Sequence, residues 1–250
     1  MTSAMPDLLD EPTRTGAAAI AHRPRLVVTI DGPAGTGKST VAREVANHLG
    51  LEFLDTGSMY RAAAALAIDN RVDAADEEAV ADLVRAADLR FDWAADPPTL
   101  LAFGRSIVDR LRDTDVTALV SPVSSLAAVR RVLVERQRRI GEVHPRLVSE
   151  GRDQGSVVFF DADVKIYLDA SPRVRARRRA EQLHALGRHA DVDAIERELA
   201  ERDRRDSTRA VGPLICPPDA ERLDTSDLDQ PAVVRRLSEI VLRRLAPAAS

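Results

Sequence analysis

Apolar positions along this chain alternate between strand-like runs and helix-like stripes. Leu26-Val-Val-Thr-Ile30 is apolar on both faces, which predicts a strand buried between helix layers. Behind it Val41, Val45 and Leu49 recur every four residues, a helical stripe that Gly50 should stop. Leu51 to Leu54 predicts a second short strand, and an alanine-rich helix follows from about Ser58. From about Val80 to Thr117 the patterns shorten, and Leu100 to Val108 reads as a small hairpin. A basic amphipathic helix is expected over Leu126 to Ile140, with Trp93 as a core anchor of the segment before it. Arg146 to Ser149 predicts a central strand and Val164 to Leu168 another. Two arginine-rich helices, about 172–186 and 192–208, flank Gly187-Arg188-His189. A strand near Glu221 to Asp224 and a helix at about 231–245 end the pattern. Strand and helix in alternation, with one insert, predict an α/β fold: a parallel five-stranded sheet covered by helices on both faces.

Between the first strand and the first helix, residues 32–39 read Gly-Pro-Ala-Gly-Thr-Gly-Lys-Ser, a complete phosphate-binding loop. Gly32, Gly35 and Gly37 allow sharp turns that aim successive N–H groups at phosphate oxygens, with Pro33, Ala34 and Thr36 completing the loop. The following helix adds its positive end. Lys38 can reach the β- and γ-phosphates, the Ser39 hydroxyl suits Mg²⁺, and Thr40 continues the helix start. A mere strand-to-helix turn with a surface lysine would not need strand, loop and helix all in register. The pattern implies binding of a nucleoside triphosphate. Asp31, just before the loop, is open between holding metal-bound water and capping the loop.

Composition narrows the partners. The 250 residues hold 36 basic and 40 acidic side chains, a net charge of −4, where general nucleic-acid binders usually show a basic excess. No stretch approaches the ~20 apolar residues a membrane span needs. The first two dozen residues mix charged residues with Pro and Thr, so residues 1–24 read as a mobile tail without a secretory signal. The single cysteine, Cys216, stands in a proline-rich loop, reads as structural and fits a reducing, cytoplasmic compartment. His184 and His189 lack partners at metal-ligand spacing.

The arginines are clustered all the same: Arg173, Arg175, Arg177, Arg178 and Arg179, then Arg202, Arg204, Arg205 and Arg209. Arg202, Asp206 and Arg209 fall at i, i+4 and i+7 and share one helical face. Ile195 and Leu199 place Arg202 beside a buried stripe, whereas Arg173 is expected to decorate the surface. Guanidinium suits bidentate recognition of phosphate and carboxylate, so the second half of the chain points to a small, highly charged anion. No Asn-Lys-x-Asp guanine-reading motif is present, which weighs against a GTPase switch.

Taken together, TIDGPAGTGKST (29–40), LDTGSMYR (54–61), EGRDQGSVVF (150–159), VKIYLDAS (164–171) and ERDRRDSTRAVGPL (201–214) resemble the bacterial cytidylate kinases in order and spacing. The resemblance runs from about Leu26 to the last helix. It implies a P-loop NTPase fold comprising residues 25–250, with a core of 25–79, 118–170 and 210–247. It also implies a small inserted nucleoside-monophosphate lobe at about 80–117 and a helical lid at about 171–209. The activity it implies is phosphoryl transfer from ATP, with Mg²⁺, to CMP or dCMP by a cytoplasmic monomer, in pyrimidine metabolism. For the acceptor phosphate the family pattern implies Thr56, Arg61, Arg152 and Arg209. For the base it implies Asp153, with Ser121 and Arg130, although Ser121 to Ser125 offers three serines and Arg131 adjoins Arg130. For the sugar it implies Arg202 and Asp206. Arg177 and Arg188 are lid candidates facing the transferred phosphoryl group, in an arginine run without a unique register. Tyr60 is balanced between the acceptor pocket and the edge of the core.

Base chemistry agrees with that assignment. Cytosine offers an amino donor at N4 and acceptors at N3 and O2, which a carboxylate, a guanidinium and a hydroxyl can satisfy. Two rivals stand beside it. Another small-molecule kinase would share loop and lid but not the quoted acceptor motifs. An RNA-dependent ATPase would use the arginine helices for RNA, against the net acidity and the 3% aromatic content.

Overall fold

The computed structural model describes residue 20, residues 23–185 and residues 187–246, so most of the 1–24 tail lies outside the described residues. Eight strands and eight α-helices are seen among them. The five-stranded sheet contains β1 (Leu26–Asp31), β2 (Glu52–Asp55), β6 (Arg146–Gly151), β7 (Val164–Asp169) and β8 (Glu221–Asp224). Its order is β2-β6-β1-β7-β8, and every neighbouring pair is parallel. β1 is buried throughout, as its unbroken apolar run requires.

Two layers cover the sheet. On one face α1 (Lys38–Leu49) and α8 (Gln230–Leu245) pack Val41, Val45, Leu237 and Val241 onto Leu26, Val28 and Ile30. On the other, Val27, Leu54 and Leu147 meet Val158 and Phe159, which a turn of π-helix at Gln154–Val158 carries back over the sheet. Gly50 ends α1 in the left-handed conformation, with φ at 62°. The alanine-rich helix α2 (Thr56–Asp69) starts two residues earlier than its apolar pattern suggests. The Asp55 carboxylate explains this, because it caps the helix by accepting from the Ser58 N–H at 3.0 Å.

The middle of the chain is more regular than its short patterns indicate. It contains α3 (Glu77–Ala86), a three-stranded antiparallel sheet of β3 (Arg90–Asp92), β4 (Thr99–Ala102) and β5 (Arg105–Ser106), and α4 (Thr114–Val123). Small alanines let α2 approach α4 closely, and Val80, Val84, Leu100, Val116 and Leu133 complete a second core. Trp93 is half-buried, stacked on His144 with centroids 4.1 Å apart, so it covers this region and does not anchor its core. Cys216 is exposed and packs in no core. α5 (Ala127–Val143) runs along this lobe into β6, while α6 (Pro172–Ala185) and α7 (Val192–Thr208) pack on each other beyond β7. Among the described residues no single helix is long and apolar enough to cross a membrane.

Parallel strands bring all their carboxyl ends to one edge. Residues 32–37 leave β1 there, Thr56 leaves β2, and Arg152 and Asp153 leave β6. That edge is where open α/β sheets bind ligands.

Candidate active site

At this edge the phosphate loop is shaped by two close constraints. Gly32 lies against β7, where a Cβ would run into the Leu168 carbonyl oxygen. Gly37 has φ at 85°, a left-handed turn that opens the first N–H groups of α1 toward the loop. Pro33, Ala34, Thr36 and Lys38 are buried, Gly35 is half-buried at the apex, and Ser39 and Thr40 are exposed at the mouth. The Lys38 ammonium folds across the loop, donating to the Pro33 carbonyl at 2.7 Å and to Thr36 Oγ1 at 3.2 Å. Burial, helped by the positive charge of Arg152, pushes the Lys38 pKa down to about 7.

Ser39 Oγ donates to Glu150 Oε1 at 2.6 Å. Glu150 is buried at the end of β6, and its register partner on β2 is Asp55. Desolvation and the neighbouring Glu150 carboxylate raise Asp55 to about 7. A hydroxyl and one or two carboxylates beside a phosphate cradle form the oxygen set that Mg²⁺ takes, with nucleotide phosphates and water supplying the remaining ligands. Among the described residues no three His, Cys, Asp or Glu side chains converge as a metal cluster. The donors present therefore fit a nucleotide-bound Mg²⁺ better than a resident metal centre. Asp31 does not cap its own loop. Its carboxylate accepts from the N–H groups of Gln154 and Gly155 at 2.8 and 2.7 Å, capping the turn after β6 instead of its own loop.

Across the edge from the loop, Asp153 and Arg130 form an ion pair with side chains 2% and 1% exposed. Arg130 also donates to the Ser124 carbonyl at 3.1 Å, and its guanidinium carbon sits 5.2 Å from the Tyr60 ring centroid. Tyr60 thus belongs both to the lobe core and to the wall around this pair. Among the described residues its buried hydroxyl meets no hydrogen-bond partner within bonding geometry, and burial pushes its pKa up to about 12. Of the two adjacent arginines, Arg130 is buried against Asp153, whereas Arg131 is exposed and pairs with Glu78. Ser121 is buried and accepts from Arg205 at 3.2 Å. Ser124 and Ser125 donate to the Ser121 carbonyl, so their hydroxyls turn back on their own chain.

Between cradle and Asp153 the arginines gather around one carboxylate. Arg152 Nε lies 3.0 Å from Asp206 Oδ2, Arg202 Nε lies 4.0 Å from the same oxygen, and Arg209 Nη1 is 3.6 Å from Asp206 Oδ1. Arg209 reaches Asp153 at 3.8 Å and donates to the Gly212 carbonyl at 2.5 Å. Arg61, from α2, donates at 3.3 Å to the Leu111 carbonyl and to Thr117. Burial together with repulsion from Arg152 pushes Arg202 down to about 10. Burial lowers Arg61 as well, with Arg179, Arg112 and Arg152 adding repulsion. Three guanidiniums around one carboxylate leave an excess of positive charge, a locus that favours a multiply charged anion.

Three assigned residues lie outside that arginine cluster. Thr56 is buried, and its hydroxyl donates to the Glu150 carbonyl at 2.7 Å, joining α2 to β6. Arg177 and Arg188 are exposed, and no side-chain hydrogen bond or ion pair among the described residues involves either. Sequence reasoning missed Gln137, which is fully buried and accepts from Gln154 at 3.2 Å; Gln154 in turn accepts from Ser149 at 2.8 Å. Its signal was the spacing of seven from Arg130, which puts both on one face of α5.

Comparison with known proteins agrees with this geometry. The cytidylate kinase family model matches residues 28–243. Cytidylate kinase of Azotobacter vinelandii is 44% identical over 224 residues, covering 88% of this chain and 97% of that protein. Cytidylate kinase of Mycobacterium avium is 43% identical over 219 residues, covering 88% and 96%. A bifunctional pantoate ligase/cytidylate kinase of Synechococcus is 45% identical over 223 residues, covering 88% of this chain, which spans 45% of that longer protein's length. With its phosphate loop and acceptor motifs inside a match of this extent, the chain belongs to the cytidylate kinase family.

Proposed function

We propose that this protein transfers the γ-phosphoryl group of ATP to CMP or dCMP, giving ADP and CDP or dCDP. The observation that carries this is the buried Asp153–Arg130 pair at the foot of an arginine cluster, across the sheet edge from the phosphate loop. A carboxylate that accepts from the cytosine N4 amino group, beside a guanidinium for its acceptors, reads cytosine against uracil. Residues 32–40 hold the triphosphate, with Lys38 on its β- and γ-phosphates. Arg61, Arg152 and Arg209, with Thr56, take the acceptor phosphate, and Arg202 and Asp206 take the sugar. Ser121 and Tyr60 close the base pocket, and Arg177 and Arg188 face the moving phosphoryl group when residues 171–209 close as a lid over the lobe at 80–117.

The chemistry needs little more than positioning and charge. In phosphoryl transfer the protein aligns two anions and neutralises the charge spread over the moving group. The acceptor phosphate is already anionic, so no general base is required. Lys38 and the crowded guanidiniums supply the positive field, and their burial strengthens it. Ser39 and Glu150, with Asp55 near, would hold Mg²⁺. Bound there, the ion supplies charge neutralisation on the phosphate oxygens of ATP. Lid closure excludes water and so suppresses hydrolysis of ATP. The net charge of −4 supports a small-molecule partner over nucleic acid, and we place the enzyme in the cytoplasm as a monomer.

A coupled ADP-release assay offering CMP, dCMP, UMP, AMP and shikimate separately, each with ATP and Mg²⁺, tests the proposal. Turnover with CMP and dCMP well above the other three is expected. Equal or greater turnover with UMP or shikimate would overturn it.

A further inference from the structure

One buried ion pair ties the lid helices to the phosphate loop. Arg175 of α6 is 5% exposed, although it sits in an arginine-rich helix that is otherwise largely solvated. Its Nε donates to the Ala170 carbonyl at 3.0 Å, and its Nη1 donates to the Ala34 carbonyl at 2.8 Å and to Asp203 Oδ2 at 2.5 Å. The other oxygen of Asp203, on α7, accepts the Ala34 N–H at 3.0 Å. Together the two side chains hold both the N–H and the C=O of one residue of the loop. Apolar packing encloses them: Ala34, Ala176, Ala180, Ile195 and Leu199 form one cluster. At Gly35 a Cβ would meet Arg175 Cβ at 3.2 Å and Leu199 Cδ1 at 3.3 Å.

The same helix α7 also carries Arg202 and Asp206, and Arg209 follows as its C-terminal cap, in extended conformation and outside the helical face its i+7 spacing predicts. Asp203 follows Arg202 directly, so a turn of about 100° along the helix separates the group facing the loop from the group facing the arginine cluster. A helix moves as a rigid body, and whatever fixes Arg202 and Asp206 fixes Asp203 with them. The geometry points to Asp203 and Arg175 as positioning residues that couple the acceptor pocket to the ATP cradle. This rests on the activity proposed above. An acceptor phosphate and sugar gripped by α7 set the register of that helix, and Asp203 with Arg175 then holds the Ala34 peptide groups in the conformation the triphosphate requires. Neither side chain needs to touch either substrate. A pair that serves stability alone would affect the two ligands independently, whereas a coupling pair links them.

The test is isothermal titration of the full chain with Mg²⁺, CMP and a non-hydrolysable β,γ-imido ATP analogue, each ligand alone and in the presence of the other. In the wild type, CMP should tighten the analogue by about tenfold, and reciprocally. In Asp203→Ala the affinity for CMP alone should stay within about twofold while the tightening disappears. Asp203→Asn keeps the size of the side chain and one acceptor for Ala34 but breaks the ion pair, so it decides the matter where the alanine variant does not fold. It should lose the tightening too. Coupling that survives in Asp203→Asn, no coupling in the wild type, or a CMP affinity that falls together with the melting temperature overturns the positioning role. A wild type that binds the analogue but not CMP overturns the proposed activity instead, so the two failures are distinguishable.

Discussion

Asp153 on the β6 turn and Arg130 on α5 meet as an ion pair almost wholly removed from water, 23 residues apart in the chain. A buried pair of this kind is weak support for stability, yet losing one partner strands a buried charge and costs about 3–5 kcal/mol. Its chemistry is directional: the carboxylate can only accept and the guanidinium can only donate. UMP places a carbonyl oxygen where CMP has an amino group, a mismatch worth about 2–4 kcal/mol, or roughly 30- to 1,000-fold in kcat/KM. Asp153→Ala is expected to collapse that preference to within about tenfold of unity, chiefly by loss of CMP turnover, and to lower the melting temperature. Steady-state kinetics with CMP and UMP on both proteins check it. Undiminished discrimination removes Asp153 from base reading.

Much of this site was legible in the sequence because its signals are local. Gly32 to Ser39 spells out the cradle, and the apolar runs at Leu26, Leu147 and Val164 mark the strands whose ends carry it. The start of α2 was legible too, had Asp55 been read as a cap. What stayed hidden depends on register between distant segments. Ser39 meets Glu150 across 111 residues, a contact created when β6 inserts between β1 and β2. The role of Asp31 depends on the π-helical turn at Gln154–Val158, for which no periodic signal exists. Arg130 and Arg131 are equally basic neighbours, and only the packing of α5 buries the first and exposes the second.

Lys38 should couple ATP binding to proton uptake. Its pKa, pushed down to about 7 by burial and by Arg152, leaves the amine largely neutral at pH 8 in the free protein. A triphosphate favours the ammonium, so binding raises the pKa and draws a proton from solution. Affinity for ATP is therefore expected to fall as pH rises above about 7. Titrations at pH 8 in buffers of different ionisation enthalpy should show net uptake in the wild type and none in Lys38→Met. The same variant should lose about 10²–10³-fold or more in kcat. Identical proton balance in both proteins would assign the uptake elsewhere.

Asp31 gives the stability curve a slope of known sign. Burial outweighs the two N–H groups it accepts from and lifts its carboxyl from 3.8 to about 7. Between those values the folded protein keeps a proton that the unfolded chain has released. The stabilisation is complete below about pH 4 and is lost as pH rises through about 7. Asp31→Asn cannot titrate, so melting temperatures measured from pH 5 to pH 8 should decline less steeply in the variant than in the wild type. The level of its curve will also drop, because an amide cannot accept from both Gln154 and Gly155, and the slope is therefore the quantity to compare.

Glu150 offers the sharpest test of the Mg²⁺ assignment, because its partner Ser39 lies in the phosphate loop itself. The 2.6 Å hydrogen bond from Ser39 Oγ to Glu150 Oε1 fixes a hydroxyl and a carboxylate side by side at the mouth of the cradle. Mg²⁺ is held by few protein ligands in such sites and relies on a carboxylate to order its shell. Glu150→Gln preserves shape and the hydrogen bond from Ser39 while removing the charge. It should raise the Mg²⁺ concentration for half-maximal activity by about tenfold, while CMP affinity measured without metal stays unchanged. Chelation with EDTA should abolish turnover in both proteins, and added Mg²⁺ should restore it in both, at about tenfold higher concentration in the variant. A Glu150→Gln enzyme with the wild-type Mg²⁺ dependence would move the ion away from β6 and leave Ser39 with the nucleotide's phosphates as its anchor.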